Sequence, residues 1–308
     1  MIIDFFKSVL LGIVEGITEW LPISSTGHMI LVNEFTNTTE GFLTTDVYLY
    51  VIQLGAILAI ATLYFKKLNP FSPKKTPEEK RDTWQMWFKV LVACIPTAVI
   101  GFLLNDFMEN FENSRIKTFI IGTALIIYGI AFIFIERKNK TAAISDMNQL
   151  TYKTAILIGL FQSLSIIPGT SRSGSTILGA MLLGCSRGIA AEFSFFLAIP
   201  VMFGVSLLKL LPVLIVNFLK ILPLSDADFL NLIQILVPNF LTSPSDYLIA
   251  PAEWGMLIVG MIVAYIVSIF LVKFLVNYVR NHDFKVFGYY RIILGVIVIL
   301  YFGIKMML

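Results

Sequence analysis

The chain has 308 residues, of which 57% are hydrophobic and only 14% are charged, with a formal net charge of +3. Soluble domains are about 45–50% apolar and about 25% charged, so the composition excludes a soluble enzyme, a disordered chain and a disulfide scaffold. The apolar residues occur in runs of about 18–22, long enough to cross a hydrocarbon core. We therefore expect an all-α integral membrane protein, and the weak positive charge indicates no nucleic-acid partner.

Six segments in chain order are apolar and long enough to be transmembrane helices. They cover about residues 48–65, 84–104, 116–136, 189–210, 254–275 and 286–306. Two further apolar stretches, residues 2–33 and 152–184, are each interrupted by proline and a run of small polar residues. Irregular backbone at membrane depth is tolerated only where it is buried in protein or lines a wet cavity. We expect each stretch to form a re-entrant helical hairpin that enters and leaves on the same side of the membrane.

The two interrupted stretches resemble each other at a shift of 147 residues. The aligned pairs include Gly12 with Gly159, Ser24 with Ser171, and Gly27 with Gly174. Three spanning segments follow each stretch, and because three is odd, the second repeat has to be inverted relative to the first. We predict one integral membrane domain with two inverted-topology repeats, residues 1–150 and 151–308. The second repeat carries an external loop at 211–251, for which we expect an amphipathic helix lying on the membrane surface.

The distribution of positive charge gives this arrangement an orientation. Sixteen of the 23 Lys and Arg residues, Arg291 among them, fall on one face, and four fall on the opposite face. The positive-inside rule assigns the basic face to the cytoplasm. In membrane proteins with inverted repeats and broken helices, the binding site lies near the midplane at the repeat interface. We therefore expect the two breaks to touch and to share a pocket.

Two acidic residues, Glu15 and Glu19, lie just before the first break. Four residues apart, they share one helix face. Carboxylates within hydrocarbon are costly, so this pair needs a cation, a proton or each other. Mg²⁺ and Ca²⁺ take oxygen ligands, and Mg²⁺ is usually bound by one or two carboxylates plus substrate phosphate. A divalent-metal site is the prediction; the alternative is a pair solvated near the membrane surface.

The first break is followed by Ser24, Ser25, Thr26 and His28. Hydroxyl and N–H groups at the start of a helix favour an anion. An imidazole titrates near neutrality, so His28 can serve as a nucleophile or as a base for a neighbouring hydroxyl. The alternative for His28 is a structural histidine with satisfied hydrogen bonds.

The second break contains one cation, Arg172, among glycines, serines and threonines. The guanidinium group fits phosphate in a bidentate manner. Helix packing through small residues accounts for the serines and Gly174 but not for the arginine, which needs a phosphate or one of the acidic residues as its partner. Gln53 and Glu192 are weaker candidates, and Glu192 is either a further partner of Arg172 or an interfacial acid.

Two acids, a hydroxyl–imidazole pair and an arginine together are typical of phosphoryl transfer, in which charge neutralisation and positioning supply most of the rate. A cavity within a bilayer suits a substrate with a phosphate head and a long apolar tail. The residues thus favour an integral-membrane lipid phosphatase or pyrophosphatase. A phosphatase of the acid-phosphatase type is excluded, because no histidine lies between residues 172 and 282. A transporter or flippase of an anionic lipid or small anion is the alternative.

The segments EGITEWLPISSTGHMILV and PGTSRSGSTI resemble the bacterial undecaprenyl pyrophosphate phosphatase family, which is associated with bacitracin resistance. The resemblance covers essentially the whole chain, although the 211–251 region is long for the family. It implies hydrolysis of undecaprenyl diphosphate to undecaprenyl phosphate and inorganic phosphate, which recycles the lipid carrier for peptidoglycan synthesis. It also implies a divalent-metal requirement, a location in the bacterial plasma membrane, and a site reached from the outer leaflet.

Position by position, the resemblance implies that Glu15 and Glu19 form the acidic metal-binding pair, with Glu19 also catalytic. Ser25 and His28 correspond to the catalytic hydroxyl–imidazole pair, and Arg172 to the arginine that binds the diphosphate. Which of Ser25 and His28 is the nucleophile stays open, as does the oligomeric state, with a homodimer as one option. The polar neighbours expected around the diphosphate are Ser24, Thr26, Ser171, Ser173 and Thr176.

Overall fold

The computed structural model describes residues 2–38, 41–112, 116–138, 142–222, 232 and 248–307. Across these residues the chain is helical, with one isolated bridge between Ile144 and Cys185. The α-helices are α1 (Ile2–Thr18), α2 (Ser25–Phe35), α3 (Asp46–Leu63), α4 (Phe65–Leu68), α5 (Pro77–Glu112), α6 (Lys117–Lys138), α7 (Tyr152–Ser163), α8 (Arg172–Leu182), α9 (Arg187–Ile221), α10 (Pro251–Asn281) and α11 (Lys285–Met307).

Six of these helices, α3, α5, α6, α9, α10 and α11, are long and apolar enough to cross a membrane. The six predicted spans are thereby confirmed, and the chain is a multi-pass helical membrane protein. Helix α9 continues to Ile221, well into the region predicted as an external loop, because its last turns bury Val216 and Leu219 in a small apolar cluster. Most of that loop, and with it the predicted surface-lying helix, lies outside the described residues.

Both interrupted stretches restart their helices in the same way. Ser24 and Ser171 precede α2 and α8 with φ angles of 73° and 71°, a conformation uncommon for residues other than glycine. The Ser24 hydroxyl accepts a hydrogen bond from the Gly27 N–H at 3.3 Å, and Ser171 accepts one from Gly174 at 3.1 Å. Each serine therefore caps a helix that begins inside the protein, where free N–H groups would otherwise lack partners.

Glycines bring the helices that surround the breaks into close backbone contact. A Cβ on Gly12 of α1 would lie 2.6 Å from the carbonyl oxygen of Gly260 on α10, and Gly159 brings α7 against the backbone of α5. Gly122 of α6 faces Gly295 of α11 in the same way. Small residues at such crossings let helices pack tightly without large side chains. This packing fixes α1 and α7, which lead into the two breaks.

Candidate active site

The two breaks meet through an ion pair between residues from different halves of the chain. Arg172 Nη2 lies 2.9 Å from Glu19 Oε1, and the two side chains are only 11% and 8% exposed. Ser173 strengthens the junction, because its hydroxyl lies 3.0 Å from the carbonyl oxygen of Glu19 and 3.1 Å from that of Leu21. The predicted contact between the breaks is therefore confirmed.

The Glu19 carboxylate links the arginine to a hydroxyl. Its second oxygen accepts a hydrogen bond from the Ser25 hydroxyl at 3.0 Å. The Arg172 guanidinium also donates to the carbonyl oxygen of Ser194 at 2.9 Å and lies 5.5 Å from the ring centroid of Trp20. Arg172 Nε is buried and has no hydrogen-bond partner among the described residues. The pair is thus held from several sides, with one donor still unsatisfied.

A cavity of about 320 Å³ borders this pair. Its lining residues are Glu19, Ser25, Thr26, Tyr50, Gln53, Ser165, Ile166, Pro168, Gly169, Ser171, Arg172, Val201, Met202 and Val205. One wall carries the carboxylate, hydroxyl, amide and guanidinium groups, and α9 supplies an apolar wall. Such a cavity can accept a ligand with an anionic head and an apolar chain.

The lining separates the predicted site residues into two groups. Thr26, Ser171 and Gln53 face the cavity together with the three residues of the ion-pair network. Ser24, Ser173 and Thr176 do not belong to the lining as the structure describes it. Instead, Ser24 caps α2, Ser173 bonds to the backbone of the first break, and the Thr176 hydroxyl lies 2.6 Å from that of Ser194. The roles proposed for all of these residues in substrate binding stay predictions.

His28 also stands apart from the cavity lining. Its Nδ1 lies 2.7 Å from the carbonyl oxygen of Ser24, and a carbonyl can only accept, so Nδ1 carries the proton. Its Nε2 lies 2.6 Å from the hydroxyl of Tyr290, which donates to it, and the two rings are stacked with 4° between their planes. Both ring nitrogens are therefore occupied, and no motif pointed to Tyr290 as a partner.

Glu15 is deeply buried beside the site. The residue is 2% exposed, and its Oε1 has no hydrogen-bond partner among the described residues. A buried carboxylate oxygen without a partner is costly, although Glu15 does not belong to the cavity lining as the structure describes it. Within the described part of the chain, no group of three or more His, Cys, Asp or Glu could hold a metal ion. A cation at Glu15 and Glu19 would therefore need further ligands, such as substrate phosphate.

Arg291, which the charge count assigned to the cytoplasmic face, is buried between the two breaks, and the side of the membrane on which it lies stays a prediction. The residue is 0% exposed, and its guanidinium donates to the carbonyl oxygen of Pro22 at 3.0 Å and to those of Gly169 and Thr170 at 2.9 Å each. Counting charge by position in the chain could not reveal this, because the acceptors are main-chain carbonyls exposed by the breaks. The one available signal was an arginine inside the last predicted span.

Two weaker predictions are settled by the contacts of their side chains. Glu192 accepts a hydrogen bond from Lys67 at 2.8 Å, so it is not a partner of Arg172. It belongs to the end of the molecule that carries Lys67 and Arg187, which we call the basic end. His282, for which the sequence suggests a solvated position in a basic loop, is exposed and lies against Tyr278.

The fold and the site define a multi-pass helical membrane protein with an amphipathic cavity where two broken helices meet. The family model of the bacitracin resistance protein BacA matches residues 8–297 of the chain. The chain therefore belongs to the BacA family.

Proteins named undecaprenyl-diphosphatase are similar to this chain over nearly its whole length. One from Streptococcus thermophilus is 48% identical over 307 residues, which cover 99% of this chain and 96% of the relative. One from Enterococcus faecalis is 49% identical over 301 residues, 97% of each chain. A third, undecaprenyl-diphosphatase 1 from Clostridioides difficile, is 48% identical over 98% of this chain and 97% of the relative. These similarities agree with the resemblance found from the two motifs.

Proposed function

We propose that this chain hydrolyses undecaprenyl diphosphate to undecaprenyl phosphate and inorganic phosphate, and so recycles the lipid carrier for peptidoglycan synthesis. The observation that carries the proposal is the Glu19–Arg172 pair, which joins the two breaks at the edge of an amphipathic cavity. Full-length relatives named for this activity support it. The same activity accounts for the bacitracin resistance in the name of the family.

The cavity walls suit the two parts of such a substrate. The diphosphate would lie against Arg172 and against the hydroxyls of Ser25, Thr26 and Ser171, all of which belong to residues that line the cavity. The first isoprene units would lie against the apolar wall formed by α9. Arginine is well suited to this role because its rigid fork of donors matches phosphate oxygens.

Ser25 is the nucleophile that the geometry supports best. Its hydroxyl lines the cavity and donates to Glu19, which can accept the proton as Ser25 Oγ attacks the terminal phosphorus. The bond from that phosphorus to the bridging oxygen breaks, and undecaprenyl phosphate leaves. Water then hydrolyses the phosphoserine and releases inorganic phosphate. His28, with both ring nitrogens occupied, supports the start of α2 in this arrangement.

Glu15 and Glu19 are the residues that would hold a divalent cation such as Mg²⁺ or Ca²⁺. Bound there, the cation would neutralise diphosphate charge and polarise the phosphoryl oxygens as a Lewis acid. The partnerless oxygen of buried Glu15 supports this assignment.

The re-entrant hairpins also belong to the proposal. Lys7, near the start of α1, donates to the carbonyl oxygen of Asn37 beyond α2 at 3.5 Å. Before α7, the N–H of Ile144 donates to the carbonyl oxygen of Gly184 beyond α8 at 3.0 Å. Contact between the two ends of each stretch supports entry and exit on the same side of the membrane. The matching helix starts at Ser24 and Ser171 support inverted repeats.

The less basic end of the molecule is proposed to face the outside of the plasma membrane. The exposed pair Lys209–Asp46 marks this end. Tyr50 and Val205, which line the cavity, lie about one helical turn from that pair. The cavity is therefore proposed to open toward the outer leaflet.

Phosphate release from C55 and C15 prenyl diphosphates by the purified protein in detergent tests the proposed activity. We expect turnover by the wild type, a loss of about 100-fold or more in Arg172→Gln, and near-normal turnover in the matched control Lys285→Gln, which removes a cation from a pair with Asp283 outside the cavity lining. Translocation of a labelled prenyl phosphate in vesicles without phosphate release would instead indicate the transporter alternative.

A further inference from the structure

Arg291 makes hydrogen bonds to three parts of the chain at once. Nη1 reaches the Pro22 carbonyl in the first break, Nη2 reaches the Gly169 and Thr170 carbonyls in the second, and Nε lies 3.5 Å from the carbonyl oxygen of Leu125 on α6. Arginine has five N–H donors in a fixed plane. One rigid group therefore sets the distance between the two breaks.

The carbonyl groups that Arg291 binds are a consequence of the breaks themselves. Where a helix is interrupted, carbonyl groups lose their partners within the helix, and at membrane depth there is little water to replace them. Pro22, Gly169 and Thr170 belong to the two breaks, and Gly169 also lines the cavity. Arg291 thus bonds to the backbone of a residue in the cavity wall without lining the cavity itself.

The charge of Arg291 has no acidic partner. None of the ion pairs within the described part of the chain includes it, and besides the carbonyl groups it is stabilised by the ring of Tyr128, whose centroid lies 5.2 Å from the guanidinium carbon. A buried cation without a counter-charge favours an anion nearby, because little water screens it. The proposed substrate brings such an anion into the adjacent cavity.

We propose that Arg291 is a positioning residue for the diphosphate site. It holds the two breaks at the separation at which Glu19 and Ser25 face Ser171 and Arg172, and its charge adds to the attraction for the diphosphate. The inference rests on the proposed function, since it assigns Arg291 a part in binding and turnover of that substrate. Arg291 itself does not line the cavity as the described residues define it.

The variants Arg291→Lys and Arg291→Gln separate geometry from charge. Lysine keeps the charge but cannot span the four carbonyl groups that the planar guanidinium reaches, so we expect kcat to fall by about 100-fold with KM within about threefold of wild type. Glutamine also removes the charge, so we expect KM to rise by about tenfold or more in addition. Both constants are measured by phosphate release from a C15 diphosphate and corrected for the folded fraction from thermal unfolding in detergent.

Arg187→Lys is the matched control, because Arg187 forms a partly buried pair with Glu136 at the basic end, away from the site. We expect its kcat and KM to be normal once the folded fraction is taken into account. Normal kcat and KM in folded Arg291→Gln would overturn the inference and leave the proposed function intact. A wild-type protein that releases no phosphate would overturn the proposed function itself.

A second pair of variants covers the case in which the Arg291 variants do not fold. Tyr128→Leu removes the ring that faces the Arg291 guanidinium and leaves all four carbonyl acceptors in place. Tyr128→Phe keeps the ring and removes only the hydroxyl, which accepts a hydrogen bond from Ser175. We expect kcat to fall by about fivefold or more in Tyr128→Leu and to stay near normal in Tyr128→Phe. Equal kcat values in these two variants would overturn the inference.

Discussion

Glu19 and Arg172 stand 153 positions apart in the chain and form an ion pair of 2.9 Å between their side chains. Each lies at a break in a helix, and neither is close to bulk water. Because a buried charge without a partner is strongly destabilising, each residue explains why the other is tolerated at this depth. Their pairing also leaves the Ser25 hydroxyl beside the cavity, where an anionic substrate can contact it, whereas Arg172 Nε is buried without a partner among the described residues.

The identity of the nucleophile can be tested by trapping the phosphorylated enzyme. With ³²P-labelled prenyl diphosphate and rapid quenching, we expect an acid-stable adduct, as a phosphoserine at Ser25 would give. Ser25→Ala should abolish the adduct and lower kcat by about 1,000-fold or more, whereas His28→Ala should retain it. An acid-labile, base-stable adduct that persists in Ser25→Ala would assign the nucleophile to His28.

Tyr290→Phe tests whether the contact between Tyr290 and His28 is part of the chemistry. The variant keeps the stacked ring and removes the hydroxyl that donates to Nε2. Since the structure places this pair outside the cavity lining, we expect kcat to change by less than about threefold. A loss comparable to that of His28→Ala would show that the orientation of the imidazole is needed for turnover.

Glu15→Gln should separate stability from activity. Because Glu15 Oε1 is buried without a partner, the neutral amide should leave the melting temperature unchanged or raise it. The same change should lower phosphate release by about tenfold or more and raise the Mg²⁺ concentration needed for half-maximal rate. Activity of the wild type that persists in excess EDTA would remove the metal from the mechanism.

The glycine contact between α1 and α10 yields a prediction about folding. In Gly12→Ala, the new methyl group would lie 2.6 Å from the Gly260 carbonyl oxygen, so we expect a loss of about 1–3 kcal/mol in stability. Gly204→Ala is the control, because a Cβ there meets nothing within 4 Å. Thermal unfolding in detergent should show a lower melting temperature for the first variant only; equal values would contradict the close packing.

Much of the architecture follows from local features of the sequence. Long apolar runs predicted the six spans, and proline with small polar residues located both breaks, because these signals depend on composition within one segment. The Glu19–Arg172 contact was predicted from a different argument, namely that buried charges need partners. The span predicted to end at residue 210 is helix α9, which continues to Ile221. The sequence alone did not distinguish its last apolar turns from the start of the predicted external loop.

The features that sequence reasoning missed depend on three-dimensional contacts. Arg291 binds main-chain carbonyls, which have no signature in the sequence, and the partner of His28 is a tyrosine 262 positions away. Similarly, Ser173 resembled a phosphate ligand in the motif but bonds to the backbone of the other break. Residue types around the motifs thus predicted the kind of site. Which of these residues line the cavity, and which hold the two breaks together, could be seen only in the three-dimensional structure.

The most direct test of a single site built from both breaks is a double-mutant cycle on kcat/KM for prenyl diphosphate hydrolysis, with Glu19→Gln, Arg172→Gln and the double variant. Each single variant should lose about 100-fold or more. Because the two residues act as one unit, the double variant should be no less active than the weaker single variant. Losses that multiply in the double variant would show two independent contributions and would contradict the shared site.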